Sequence, residues 1–109
     1  MATDVLQPGE IVAVCPRQRP IEERKTSVLV KTPTLRVMRI ELPAGEELKE
    51  HKAPGDITVH CIAGKVNFTV HGSTQELSAG SLLYLAAEEL HAVEAIEPSA
   101  LLVTVAIQG

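Results

Sequence analysis

The amino-acid sequence predicts an all-β domain, a sandwich or barrel, on three observations. Seven stretches, SVLVK, LRVMRIEL, DITVHCIA, KVNFTVH, TQELS, SLLYLA and ALLVTVAI, are short and mostly rich in Val, Ile, Leu and Thr. Turn signals separate them: Thr-Pro, Pro-Ala-Gly, Ala-Pro-Gly, His-Gly-Ser and Ser-Ala-Gly, residues that set the backbone angles a reversal needs. Within several stretches apolar and polar residues alternate, the period of a strand with one face in a core. Strands so short and closely spaced must pack as two layers or close on themselves to bury those faces.

Taken in order, residues 1–25 carry Pro8, Gly9, Pro16 and Pro20 without a sustained period. They read as an extended leader with at most short strands. The domain proper is expected over residues 26–109. In LRVMRIEL the apolar phase slips between Val37 and Met38, which implies a bulge or a strand covered on both faces. DITVHCIA puts Ile57, Val59 and Cys61 on one face and Asp56, Thr58 and His60 on the other. KVNFTVH does the same with Val66, Phe68 and Val70 against Lys65, Asn67, Thr69 and His71. AAEELHAVEAIE, residues 86–97, is ambiguous. Its strong helix formers, with Ala86, Leu90, Val93 and Ile96 near helical spacing, predict a helix. A turn followed by a strand starting at His91 is the rival, and the local letters leave both open.

Bulk composition narrows the function. One domain is expected of 109 residues, since a second core would be too small to sustain itself. Phe68 and Tyr84 are the sole aromatic residues, so the core is aliphatic and stacking on bases has little to use. Net charge is −4. Residues 1–40 hold seven Lys or Arg against four acids, and 41–109 hold three against ten. RQRPIEERK mixes both signs, so the basic leader is expected to lie on its own body or a partner subunit rather than to bind nucleic acid. No stretch approaches the roughly 18 apolar residues of a membrane span, and the N-terminus lacks a signal-peptide pattern. Two cysteines, Cys15 and Cys61, are expected as free thiols. A cytoplasmic protein, with neither nucleic acid nor membrane as partner, is the expectation. Phosphate-binding glycine loops, nucleophile elbows and paired-cysteine zinc spacings are absent.

The stretch PAGEELKEHKAPGDITVHCIAG places His51 and His60 among three glycines, and His91 follows later. Each histidine has a plain reading beside the chemical one. His71 adjoins the Gly72-Ser73 turn and reads as exposed. His60 shares the polar face of its strand, as a surface or subunit-interface residue. His51 and His91 read equally as neutral imidazoles bonded to backbone or water in a pocket. Cys61 reads as a small core residue. The paired acids Glu46-Glu47 and Glu88-Glu89 read as solvated faces.

Across residues 26–107 the chain resembles the cupin family of small double-stranded β-helix barrels. The resemblance lies in two motifs. The first runs Gly, five residues, His-x-His, three or four residues, Glu, six residues, Gly. Gly45, His51 and Gly64 match it, with Ala53 at the second histidine and Ile57 at the glutamate. The second runs Gly, five residues, Pro-x-Gly, two residues, His, three residues, Asn. Gly80 and His91 match it, with Ala86, Glu88 and Ala95 at the Pro, Gly and Asn positions.

The resemblance implies an all-β jelly roll, a double-stranded β-helix barrel of two antiparallel sheets that pairs into a homodimer. It implies a site where three histidines and a carboxylate hold iron, manganese, nickel or zinc. Of those four ligands only His51 and His91 remain, and two imidazoles bind such an ion weakly. His60, or a carboxylate such as Glu50, is the candidate third donor. Period-two geometry argues against His60, three residues beyond the inward Ile57 position. Ile57, Val59, Val66, Phe68 and Leu85 would line a mostly apolar pocket suited to a small molecule. Two functions follow: a non-catalytic or regulatory small-molecule-binding cupin with a degenerate metal site, or a divalent-metal enzyme of dioxygenase, isomerase or decarboxylase type.

Overall fold

The computed structural model describes residues 5–15 and 20–107. The leader's described residues, 5–15 and 20–24, form no regular strand. Nine strands follow among the described residues: β1 Lys25–Lys31, β2 Leu35–Leu42, β3 Glu47–His51, β4 Ile57–Ala63, β5 Lys65–Val70, β6 Ser73–Ser78, β7 Leu82–Leu85, β8 His91–Ala95 and β9 Ser99–Ala106. The described residues contain no helix, and so none long and apolar enough to cross a membrane. They form two antiparallel sheets, one of five strands in the order β1-β2-β9-β4-β7 and one of four in the order β3-β8-β5-β6. This is the expected two-sheet architecture.

Alternation decides which side of each strand is buried. In β4 the pattern of Ile57, Val59 and Cys61 buried against half-exposed Thr58 and His60 holds over the whole run. In β5 it selects Val66 and Phe68. Register stacks the inner residues of the larger sheet into rows. Arg36, Val105, Ile57 and Leu85 form the first, Met38, Val103, Val59 and Leu83 the second, and Ile40, Leu101 and Cys61 the third. Facing them are His51, His91 and Val70, then Leu48, Val93 and Phe68, across β3, β8 and β5. Phe68 is the largest fully buried side chain; the rest of the core is aliphatic but for Cys61.

Three elements correct or resolve the sequence-based expectation. Residues 86–97 are a turn and then β8, so the helical spacing there is coincidental; pairing with β3 and β5 supplies the backbone partners that a helix would otherwise provide. β2 pairs with β9 without a register shift, so the slip at Val37 and Met38 marks a strand partly buried along both faces, not a bulge of its own. The bulge sits on β1 between Val28 and Val30. Leu29, the extra residue there, accepts a hydrogen bond at its carbonyl from the Leu6 N–H, 2.7 Å. Arg39 Nη1 donates to the Ala13 carbonyl, 3.1 Å, and so the described leader lies against the β1 and β2 side of the domain. β3 was not among the seven expected strands. ELKEH has one aliphatic residue and sits at a sheet edge, where burial imposes little pattern.

Candidate functional site

A cavity of about 220 Å³ lies between the sheets. The larger sheet lines it with Arg36, Met38 and Ile40 of β2, Leu101, Val103 and Val105 of β9, and Ile57 and Val59 of β4. The smaller sheet adds Leu48 and His51 of β3, His91 and Val93 of β8, and Phe68 of β5. Lys52, Ala53 and Pro54, in the loop after β3, and Ile107, after β9, complete it. Cys61 of the third row, with Val66 and Ala95 opposite, is buried in the core and does not line it.

The two motif histidines meet here. Their ring centroids are 4.2 Å apart with planes tilted by 59°, and His91 also stacks on Phe68 at 5.5 Å and 11°. His91 is the first residue of β8 and pairs with His51 directly across the strands. His51 lies three positions after Leu48, so strict alternation would send one of them outward. A bulge between them cancels that parity: Lys49 and Glu50 together oppose Ala92, and Leu48 and His51 both face the core side. The same three-residue spacing separates Ile57 from His60, where no bulge intervenes. His60 therefore stays on the outer face, paired in register with Leu82 and Leu102, away from the cavity.

Backbone bonds orient both rings. Each Nδ1 meets a carbonyl two residues upstream, Lys49 for His51 at 2.8 Å and Glu89 for His91 at 3.0 Å. With its Nδ1–H donating, a neutral ring keeps a lone pair at Nε2. Burial pushes the His91 imidazole below the ordinary histidine range; the bond to Glu89 opposes that, and the neighbouring His51 adds to it. His91 is therefore neutral near pH 7. Glu89 in turn is held by its own carboxylate, which accepts from the Ala86 N–H at 2.9 Å and meets His71 Nε2 at 2.9 Å. Those contacts pull the Glu89 carboxyl below the usual carboxylate range, the His71 bond most strongly. His71 is exposed, as expected, and with half-buried Glu89 it braces the turn that presents His91.

The turn and the opposite loop are stitched together at the mouth. The Glu88 N–H donates to the Ala53 carbonyl, 3.0 Å, and the Ala87 N–H to Asp56 Oδ1, 3.2 Å. Lys52 Nζ lies 3.5 Å from Glu88 Oε1. Glu88 adopts φ of 69°, the left-handed conformation, at the position of the motif's second-turn glycine. The motif glycines that remain, Gly45, Gly64 and Gly80, share that conformation. At Gly64 a Cβ would also strike the Pro98 carbonyl and Ser99.

The other expected site residues divide. Ile57, Val59 and Phe68 line the cavity. Leu85 does not: it occupies the first row but in the edge strand β7, one column beyond the cavity, and packs into the core instead. Val66 is likewise core. Glu50 lines an outer groove with Asn67 and Thr69, placed there by the bulge that turned His51 inward. Cys61 is buried, and burial raises its thiol above the ordinary range. Unforeseen were Arg36, Met38 and Ile40, whose alternating positions in LRVMRIEL were the available signal, and Lys52.

A transition metal does not fit this donor set. Ala53 and Ile57, at two of the family's four ligand positions, present only hydrocarbon to the cavity. Among the described residues no group of three His, Cys, Asp or Glu is placed to hold an ion. A stable site for iron, manganese, nickel or zinc needs at least one more donor than two imidazoles.

A cupin domain model matches residues 38–107, from mid-β2 to the residue after β9. The chain belongs to the cupin family. Among solved structures it is similar to a conserved protein of unknown function from Streptococcus pyogenes, TM-score 0.80, 21% identical, covering 100% of this chain and 97% of that one. It is similar also to an RmlC-like cupin with a double-stranded β-helix fold from Methanocaldococcus jannaschii, TM-score 0.75, 20% identical, covering 91% and 94%. KdgF from Halomonas sp. aligns with TM-score 0.73, 18% identity, and 81% and 83% coverage. At such identities the likeness is one of fold. No curated protein matches the chain.

Proposed function

We infer that this cupin binds a small molecule in the cavity between its sheets and does so without a catalytic metal, as a non-catalytic or regulatory module. One observation carries the reading: two of the four ligand positions have become cavity wall, Ala53 and Ile57, while the cavity itself stays open and mostly apolar. A hydrocarbon lining with a few convergent polar groups is the usual composition of a small-molecule site. The rival reading, a metal-dependent dioxygenase, isomerase or decarboxylase, requires a third protein ligand near the histidine pair.

Elemental analysis separates the two. Protein purified without added metal, and again after incubation with iron, manganese, nickel or zinc and desalting, is expected to retain far less than one equivalent. Stoichiometric metal that disappears in the His51→Ala/His91→Ala double variant would overturn the reading.

A further inference from the structure

The cavity's polar groups are all of one kind. Arg36, Lys52, His51 and His91 line it, and among the described residues no Asp or Glu does. Arg36 projects from the same face of β2 as Met38 and Ile40, in a row with Val105 and Ile57. Its Nε is buried and has no hydrogen-bond partner among the described residues. No ion pair among the described residues involves Arg36. Lys52, by contrast, already faces Glu88 and is well exposed. A guanidinium drawn partly out of water beside hydrocarbon, with an unbonded N–H, is a group whose desolvation is uncompensated. An anion in the cavity would compensate it.

We propose that the ligand is a small monocarboxylic acid with a compact hydrocarbon or aromatic body, its carboxylate held by the Arg36 guanidinium and its body lying against Met38, Phe68 and Val103. This rests on the small-molecule reading above and specifies its ligand class. The planar guanidinium matches a carboxylate in a two-bond fork. A single half-buried guanidinium in the cavity wall suits a monoanion better than a phosphate dianion. Size agrees: a cavity of about 150 Å³ takes benzene, and the 220 Å³ here leaves room for one ring or a short branched chain plus the carboxylate.

The test compares benzoate and isovalerate with their neutral amides, benzamide and isovaleramide. Binding is followed by titration of the Met38, Leu101 and Val103 methyl resonances in the wild-type protein and in Arg36→Met and Arg36→Gln. The acids are expected to bind roughly tenfold or more tightly than the amides, the range a charge-assisted bond spans. Both variants should lose that margin. Methionine replaces a half-buried charge with a chain of similar length, so Arg36→Met is expected to melt no lower than wild type, which separates lost binding from lost folding. Equal affinity for acid and amide, or an acid affinity unchanged in a folded Arg36 variant, would overturn the carboxylate assignment and leave the cavity a neutral-ligand site. No shift of the cavity methyls by either class would overturn both the assignment and the small-molecule reading.

Discussion

His91 lies between the Phe68 ring and the tilted His51 ring, almost wholly shielded from solvent. Its proton affinity is lowered by folding, chiefly through burial. The unfolded chain, with an imidazole near about 6.5, therefore binds the proton more readily than the folded one. This contribution to stability is complete above about pH 6.5 and is lost as pH falls from there toward the folded-state value. Urea midpoints measured from about pH 7.5 down to about 5.5 should decline, and His91→Phe should flatten the decline. A decline of the same size in the variant would show that another group drives it. The pair of histidines was legible in the sequence because motif spacing counts residues. For Arg36 the letters offered only its shared period with Met38 and Ile40, and register against β9 decides that this face of the strand is the inward one.

The elements that carry the site depend on irregularities. The β3 bulge gives His51 its inward direction, and without it β3 would present Leu48 or His51 to the core, not both. The turn before β8 holds Glu88 at φ 69°, a conformation that costs a residue with a Cβ about 1–2 kcal/mol. Glycine avoids this strain but loses more chain entropy on folding. Glu88→Gly is thus expected to stabilise the fold by about 0.5–1 kcal/mol in chemical denaturation, since the exposed pair with Lys52 contributes little. Destabilisation would mean that the Lys52 contact outweighs the backbone strain. This turn also explains why residues 86–97 read two ways: Ala, Glu and Leu favour helix in isolation, but two neighbouring strands claim the backbone of 91–95.

For the whole molecule, the two sheets leave β1, β7, β3 and β6 as edges. β7 is the apolar one, with Leu82 and Tyr84 63% and 62% exposed. An uncovered apolar edge strand invites pairing, and we propose that the chain forms a homodimer through it. Light scattering is expected to return twice the monomer mass, and Leu82→Lys/Tyr84→Lys to return the monomer mass while keeping the β-sheet circular dichroism. A wild-type monomer would overturn the proposal, and a dimer unaffected by the substitutions would move the interface elsewhere. His60 lies on this outer face, in register with Leu82, the surface role its alternation implied.

What the sequence by itself determined was the all-β character, the inward faces of β4 and β5, and the two histidines retained from a four-ligand pattern. Those features are local: period-two alternation and residue counts are written along one strand at a time. The tertiary structure alone decided that residues 91–95 are strand and that His51 turns inward while His60 does not. It also decided that Leu85 falls outside the cavity and that an unpaired arginine stands within it. Each depends on which strand lies beside which and in what register, and those pairings are made between residues far apart in the chain.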